Sequence, residues 1–162
     1  TQWLVDAGMA YYSFNVGAFE LPFPIHENLR LYKLFFVDSG LMCAMMLNGI
    51  QAQVLSGNID VNEGALTENY VAGEFAKHGI SLNYYDRKSK HELDFIFPEK
   101  NKISIVEVKS GKDYKQHASL DMAHSLFADK INRRIVMSGN NLEIEDGCIY
   151  LPFYMSMFLG GE

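Results

Sequence analysis

The chain has 162 residues, 48% of them hydrophobic and 13% aromatic, with a formal net charge of −6. That content suits one ordinary domain with its own core and excludes a disordered chain. The acidic balance argues against a protein that coats nucleic acid without selectivity, while leaving room for a local basic groove.

Thr1 to Ala7 reads as the last turns of a helix, stopped by Gly8. Met9 to Val16 carries Tyr11, Tyr12, Phe14 and Val16, which favours a strand. Gly17, Pro22 and Pro24 break it before a second strand over Leu31 to Val37. Helix, strand, loop and strand would form the back half of a winged-helix-like module over residues 1–50; a plain hairpin packed on the next unit is the alternative. Asp38 or Ser39 can cap a short helix over Leu41 to Leu47, ended by Asn48-Gly49.

Gly64 to His78 is the clearest helix, closed by Gly79. Val71, Ala72, Phe75 and Ala76 form its apolar stripe, and Glu68 falls inside that stripe. An inward acid needs a partner, unless it serves only the macrodipole near the helix start. Three strands follow: Ser81 to Tyr85, Glu92 to Phe97, and Ile103-Ser-Ile-Val-Glu-Val-Lys-Ser110. Their short links imply antiparallel neighbours. Alternation sets Glu107 and Lys109 on one face, and Asp94 on the face of Ile96. His117 to Phe127 is a helix with Leu120, Ala123, Leu126 and Phe127 on its apolar side, and Arg133 to Met137 a further strand. Cys148 to Leu159 is an apolar tail, bent by Pro152, that packs on the core.

Cys43 and Cys148 are isolated, so neither a zinc site nor a disulfide framework is expected, and a reducing cytoplasm fits best. No run reaches the roughly 18 apolar residues of a membrane helix, so no membrane contact is expected. A chain that begins with Thr1, inside a helix, reads as part of a longer protein.

From Gly64 onward the order is helix, three strands, helix, strand, with Glu68 on the first helix, Asp94 on the middle strand, and Glu107 and Lys109 on the next. This resembles the α/β, restriction-endonuclease-like core of the PD-(D/E)XK nuclease superfamily, a mixed sheet flanked by helices, with the match over residues 64–138 of a domain spanning residues 51–162. Leu93 stands where that pattern has proline. Trp3-Leu-Val-Asp-Ala-Gly8, Lys33-Leu-Phe-Phe-Val-Asp-Ser-Gly40, Glu68-Asn-Tyr-Val71, Glu92-Leu-Asp-Phe95 and Ile105-Val-Glu-Val-Lys-Ser-Gly111 together resemble the C-terminal domain of unknown function of prokaryotic AAA-type ATPases. That resemblance implies an ATPase module upstream that holds the ATP; no Walker motif occurs in this chain.

The resemblance further implies that Glu68, Asp94, Glu107 and Lys109 converge at the sheet. Asp94 and Glu107 would supply carboxylates, and Val108 a carbonyl, to Mg²⁺ or Mn²⁺, with Glu68 holding a second metal or a bound water. Lys109 would steady the attacked phosphate, making a metal-dependent nuclease. Activity does not follow from fold, and a non-catalytic DNA- or protein-binding module is the rival. Arg87, Lys88, Lys90, Lys100, Lys102, Lys112 and Lys115 could meet DNA phosphates, although a solvated rim balancing nearby acids is the favoured reading.

Overall fold

The computed structural model describes residues 1–45, 63–87 and 91–160. Its elements are α1 (Gln2–Asp6), β1 (Ala10–Val16), a 3-10 turn (Phe23–Ile25), β2 (Glu27–Phe36), α2 (Ser39–Met45), α3 (Glu63–Lys77), β3 (Asn83–Asp86), β4 (Glu92–Glu99) and β5 (Lys102–Lys109). There follow α4 (Ala118–Phe127), β6 (Ile131–Ser138), β7 (Glu143–Glu145), β8 (Cys148–Pro152) and a second 3-10 stretch (Phe153–Phe158). The far end of the helix expected to reach Leu47, with its Asn48-Gly49 stop, lies outside the described residues, as do Lys88 and Lys90.

The strands form one mixed eight-stranded sheet in the order β2-β1-β3-β4-β5-β6-β8-β7. β3, β4 and β5 are antiparallel neighbours, as their short links require. The β4–β5 turn places Lys100 and Asn101 at φ 48° and 61°, the left-handed pair of a two-residue hairpin. β5 and β6 are parallel and joined through α4, the crossover that parallel strands need. The β1–β2 hairpin is antiparallel and docks on β3 in parallel, so residues 10–36 extend the same sheet as the rest of the chain.

Each face of the sheet has its own core. On one side Val71, Ala72 and Phe75 of α3, none of them solvent-exposed, meet Phe35, Phe95, Phe97, Val106, Ile135 and Met137. Phe75 approaches the rings of Phe95 and Phe97 edge-on at 5.3 and 5.8 Å, an arrangement the ring quadrupole favours. On the other side Leu120 and Ala123 of α4 meet Leu93, Ile96, Ile103, Ile105 and Val136. Leu126, expected inward, is exposed, while Phe127 stacks on Phe19.

α3 ends where the sequence predicts. Gly79 takes φ 76°, a conformation that costs glycine little, and Ile80 N–H donates back to the Phe75 carbonyl. The apolar tail becomes part of the fold in two pieces. Cys148–Pro152 pairs in parallel with β6, and Phe153, Met155 and Leu159 pack against the α3-side core. Among the described residues, no helix is long and apolar enough to cross a membrane.

Candidate functional site: a charged cluster at one end of the central hairpin

β5 is buried from Ile103 to Val106, and that burial carries Glu107 into the sheet with them. Glu107 is only 7% exposed. Its Oε1 forms an ion pair with Lys109 Nζ at 2.5 Å, while its Oε2 is buried with no hydrogen-bond partner. A buried carboxylate oxygen without a protein donor is costly, and a water or a cation would satisfy it.

Asp94 sits opposite this end of β5. Strict alternation would put it on the face of Ile96, but Leu93 and Ile96 share one core cluster, and the pairing of β3 with β4 shifts register between Asn83 and Tyr85. β4 therefore bulges at this point, and the extra residue turns Asp94 away from Ile96. Its Oδ2 accepts the Val108 N–H at 2.8 Å, and its Oδ1 lies 3.8 Å from Lys33 Nζ. Val108 thus presents its amide to Asp94.

Lys33 is the residue that sequence reasoning missed. It points from β2 towards α3 with Phe35, and its ammonium lies between three acids. Glu68 Oε1 accepts at 2.6 Å, Glu92 Oε1 forms a second close pair, and Asp94 is the third neighbour. The ammonium also lies 5.3 Å from the centre of the Tyr84 ring. Glu68 is the sixth residue of α3, beyond its first turn, so its partner is this lysine rather than the helix dipole. The following residue, Asn69, is buried and holds both polar groups of Phe36 in β2: its Oδ1 accepts from Phe36 N–H at 2.7 Å, and its Nδ2 donates to Phe36 O at 3.1 Å. That double bond to the strand backbone fixes α3 against β2 and brings Glu68 to Lys33. A lysine alternating with Phe35 on an apolar strand was the signal available in the sequence.

The electrostatics follow from this arrangement. Burial, the charge of Glu68 and, to a smaller degree, that of Glu107 push Asp94 up to about 7, against the pull of Lys33 and the Val108 amide. For Lys33, burial alone would lower the pKa; Glu68, Asp94 and Glu92 outweigh it and hold the lysine above its usual range. Asp94 rises because it is buried beside Glu68, and Lys33 because its acid neighbours outweigh its burial; the ammonium serves Glu68 and Glu92 closely and Asp94 from 3.8 Å.

The four expected residues are therefore arranged as two adjoining pairs. Glu68 and Asp94 meet through Lys33 on the α3 side. Val106 and Val108 pack into the α3-side core, so alternation turns Glu107 and Lys109 toward the α4 side. The two pairs are joined by the bond from Val108 to Asp94 and by carboxylate repulsion. Among the described residues, no group of three or more His, Cys, Asp or Glu is assembled to hold a metal ion. Asp94 and the unpartnered Oε2 of Glu107 could share one ion only by reaching past the strand end from opposite sides of the sheet; magnesium uses one or two carboxylates and keeps several waters.

The basic residues divide. Lys100 and Lys102 lie at the far end of the β4–β5 hairpin, about 15 Å along the strands from Asp94 and Glu107. Lys115 is held by Glu143 at 2.9 Å and Glu145 at 2.6 Å, and Arg87 and Lys112 are exposed. Tyr114 packs edge-on against Tyr150 rather than facing the cluster, and Gln116 is exposed.

Fold and cluster together define a mixed α/β domain that gathers acids and lysines where neighbouring strands end. A family described as a domain of unknown function (DUF4143) matches residues 63–155, more than half of the chain, and the chain belongs to that family. No curated protein and no solved structure matches it.

Proposed function

We propose that the chain is a nuclease-like domain of the PD-(D/E)XK type, with a phosphodiester-hydrolysing site built from Glu68, Asp94, Glu107 and Lys109. It would serve an AAA-type ATPase whose ATP-binding module lies upstream. One observation carries this reading: the buried, donorless Oε2 of Glu107, one strand from Asp94 and beside Lys109. Mg²⁺ or Mn²⁺ held by Asp94 and Glu107, with the Val108 carbonyl, would supply Lewis acidity and lower the pKa of a water. Lys109, one-third exposed, can reach an incoming phosphate as a point charge. Asp94, at about 7, can exchange a proton near neutrality. Glu68 adds negative charge beside Asp94.

The test is cleavage of plasmid and oligonucleotide DNA in Mg²⁺ or Mn²⁺, beside an Asp94→Ala variant. Cleavage by the wild type that falls about a hundredfold or more in the variant is expected. Cleavage that survives the substitution, or none on any substrate, removes the hydrolytic reading.

The ammonium of Lys33 among Glu68, Glu92 and Asp94 favours a second reading, a non-catalytic module that binds DNA or a partner protein with its acids held by an internal lysine. That module would show salt-sensitive DNA affinity by fluorescence anisotropy in chelator. No affinity at low salt leaves only the protein partner.

A further inference from the structure

We propose that copies of this chain join head to tail through the two margins of the sheet, the β2 margin of one copy against the β7 margin of the next. The inference is independent of the proposed nuclease site.

β2 and β7 are the outermost strands, so each pairs with a neighbouring strand on one side only. A sheet margin offers its outward amides and carbonyls to another chain, and exposed apolar side chains there invite one. Both margins carry such side chains. Leu29 and Leu31 on β2, and Leu142 and Ile144 at β7, are each more than half exposed. The two leucines of β2 stand on a bulge: Tyr32 pairs with Phe14 and Asn28 with Asn15, so Leu29, Arg30 and Leu31 have no opposite residue in β1. A bulge denies the margin to a long partner strand but leaves room for a short one, and β7 is three residues long.

Charge decides which margins meet. Within residues 28–32, all exposed, the one charged side chain is Arg30. At the other margin Glu143, Glu145 and Asp146 are exposed, and a single lysine, Lys115, serves both glutamates, so this margin stays acidic. β2 against β2 would bring Arg30 near its own copy, and β7 against β7 would gather acids. β2 against β7 sets a guanidinium among carboxylates and leucine against Ile144. The strand directions agree with this choice. Followed through the pairings across the sheet, β2 and β7 run the same way. A second copy shifted along the sheet therefore brings the two margins together with neither copy turned over. Such a contact has unlike surfaces on its two sides, so it builds chains or rings rather than a two-fold dimer. With a three-residue strand at its centre, it is weak and forms as concentration rises.

The experiment is sedimentation equilibrium on the wild-type chain, Leu31→Lys, Ile144→Lys and an equimolar mixture of the two variants, with a melting curve for each. Both substituted side chains are exposed, so both variants should melt with the wild type. The wild type is expected to pass from 18.4 kDa to dimers and longer species as concentration rises. Each variant alone should associate about tenfold more weakly or less. In the mixture the intact β7 margin of Leu31→Lys meets the intact β2 margin of Ile144→Lys, so dimers with one copy of each should form, and nothing longer. Arg30→Glu should also weaken wild-type assembly about tenfold. A wild type that stays monomeric at every concentration overturns the inference. So does a wild-type dimer that survives in either variant, which would mark a two-fold contact of one margin or a contact elsewhere. A mixture that associates no better than its components overturns it as well.

Discussion

The β4–β5 hairpin carries a partly buried acid near each end, and the two are treated in opposite ways. At the turn, Glu99 accepts from Ser104 Oγ at 2.5 Å, Asn132 Nδ2 at 2.7 Å and Arg133 Nε at 2.7 Å. Against the upward push of burial, those donors hold Glu99 below the usual carboxylate range. At the other end Asp94 has one amide and a distant share of Lys33, and is pushed up to about 7, while Glu107 keeps an oxygen with no donor. Burial pushes both Glu99 and Asp94 upward, and only at Glu99 do donors outweigh it. The turn has been supplied with donors and the open end has not. Under the proposed function, the unsatisfied end is where a bound cation would complete the acids.

The largest expected effect that would break this contrast comes from Asp94→Asn. Asp94 rises from an ordinary 3.8 to about 7 on folding. Between those values the folded chain holds a proton that the unfolded chain has released, so stability falls as pH rises through that window and is flat above it. A neutral amide in place of the carboxyl removes the penalty. The variant should melt above the wild type at pH 8 and lose its advantage toward pH 4. The size of the shift caps the gain at up to about 4 kcal/mol, and the carboxylate lost from Lys33 reduces it. A variant that is less stable than the wild type at pH 8 would mean that the open end is as well satisfied as the turn.

Glu99→Gln should act with the opposite sign. Glu99 is depressed in the folded state, so its contribution is present above the ordinary 4.5 and disappears as pH falls through the folded value. The variant should lose about 2 kcal/mol at pH 7 in urea denaturation, shrinking toward zero as pH falls through the folded value. The smallest effect sharpens the same point. Ser104→Ala removes one of three donors to Glu99 and should cost about 1 kcal/mol, because Asn132 and Arg133 remain. A loss as large as that of Glu99→Gln would show that the three donors act as one unit.

Much of the sheet was legible in the sequence because its signals are local. The apolar run before Glu107 and the short turn after Phe97 sufficed to set β4 and β5 side by side, antiparallel, and Gly79 marked the end of α3. What was not legible depends on distant partners. The face of Asp94 could not be read by counting, since one bulged residue in β4 reverses alternation, and that bulge answers to the register of β3. Lys33 reaches acids 35, 59 and 61 positions away, so no window of sequence joins them. β7 is three residues long and β8 ends in proline, signals too slight to separate strands from a bent tail. Lys100 and Lys102 looked near the acids along the chain, yet the hairpin carries them to its opposite end.

The placement of Lys33 on β2 bears on how the domain should be excised. The matched stretch begins at residue 63, after the β1–β2 hairpin has ended. A polypeptide cut at that boundary would turn the four-residue β3 into an unprotected sheet margin, uncover Phe95 where Phe35 had lain against it, and strip Asn69 of the peptide it grips. It would also leave Glu68, Glu92 and Asp94 facing one another with no lysine between them. The physical unit is wider than the one that sequence similarity outlines, and a fragment trimmed to the narrower span would misfold.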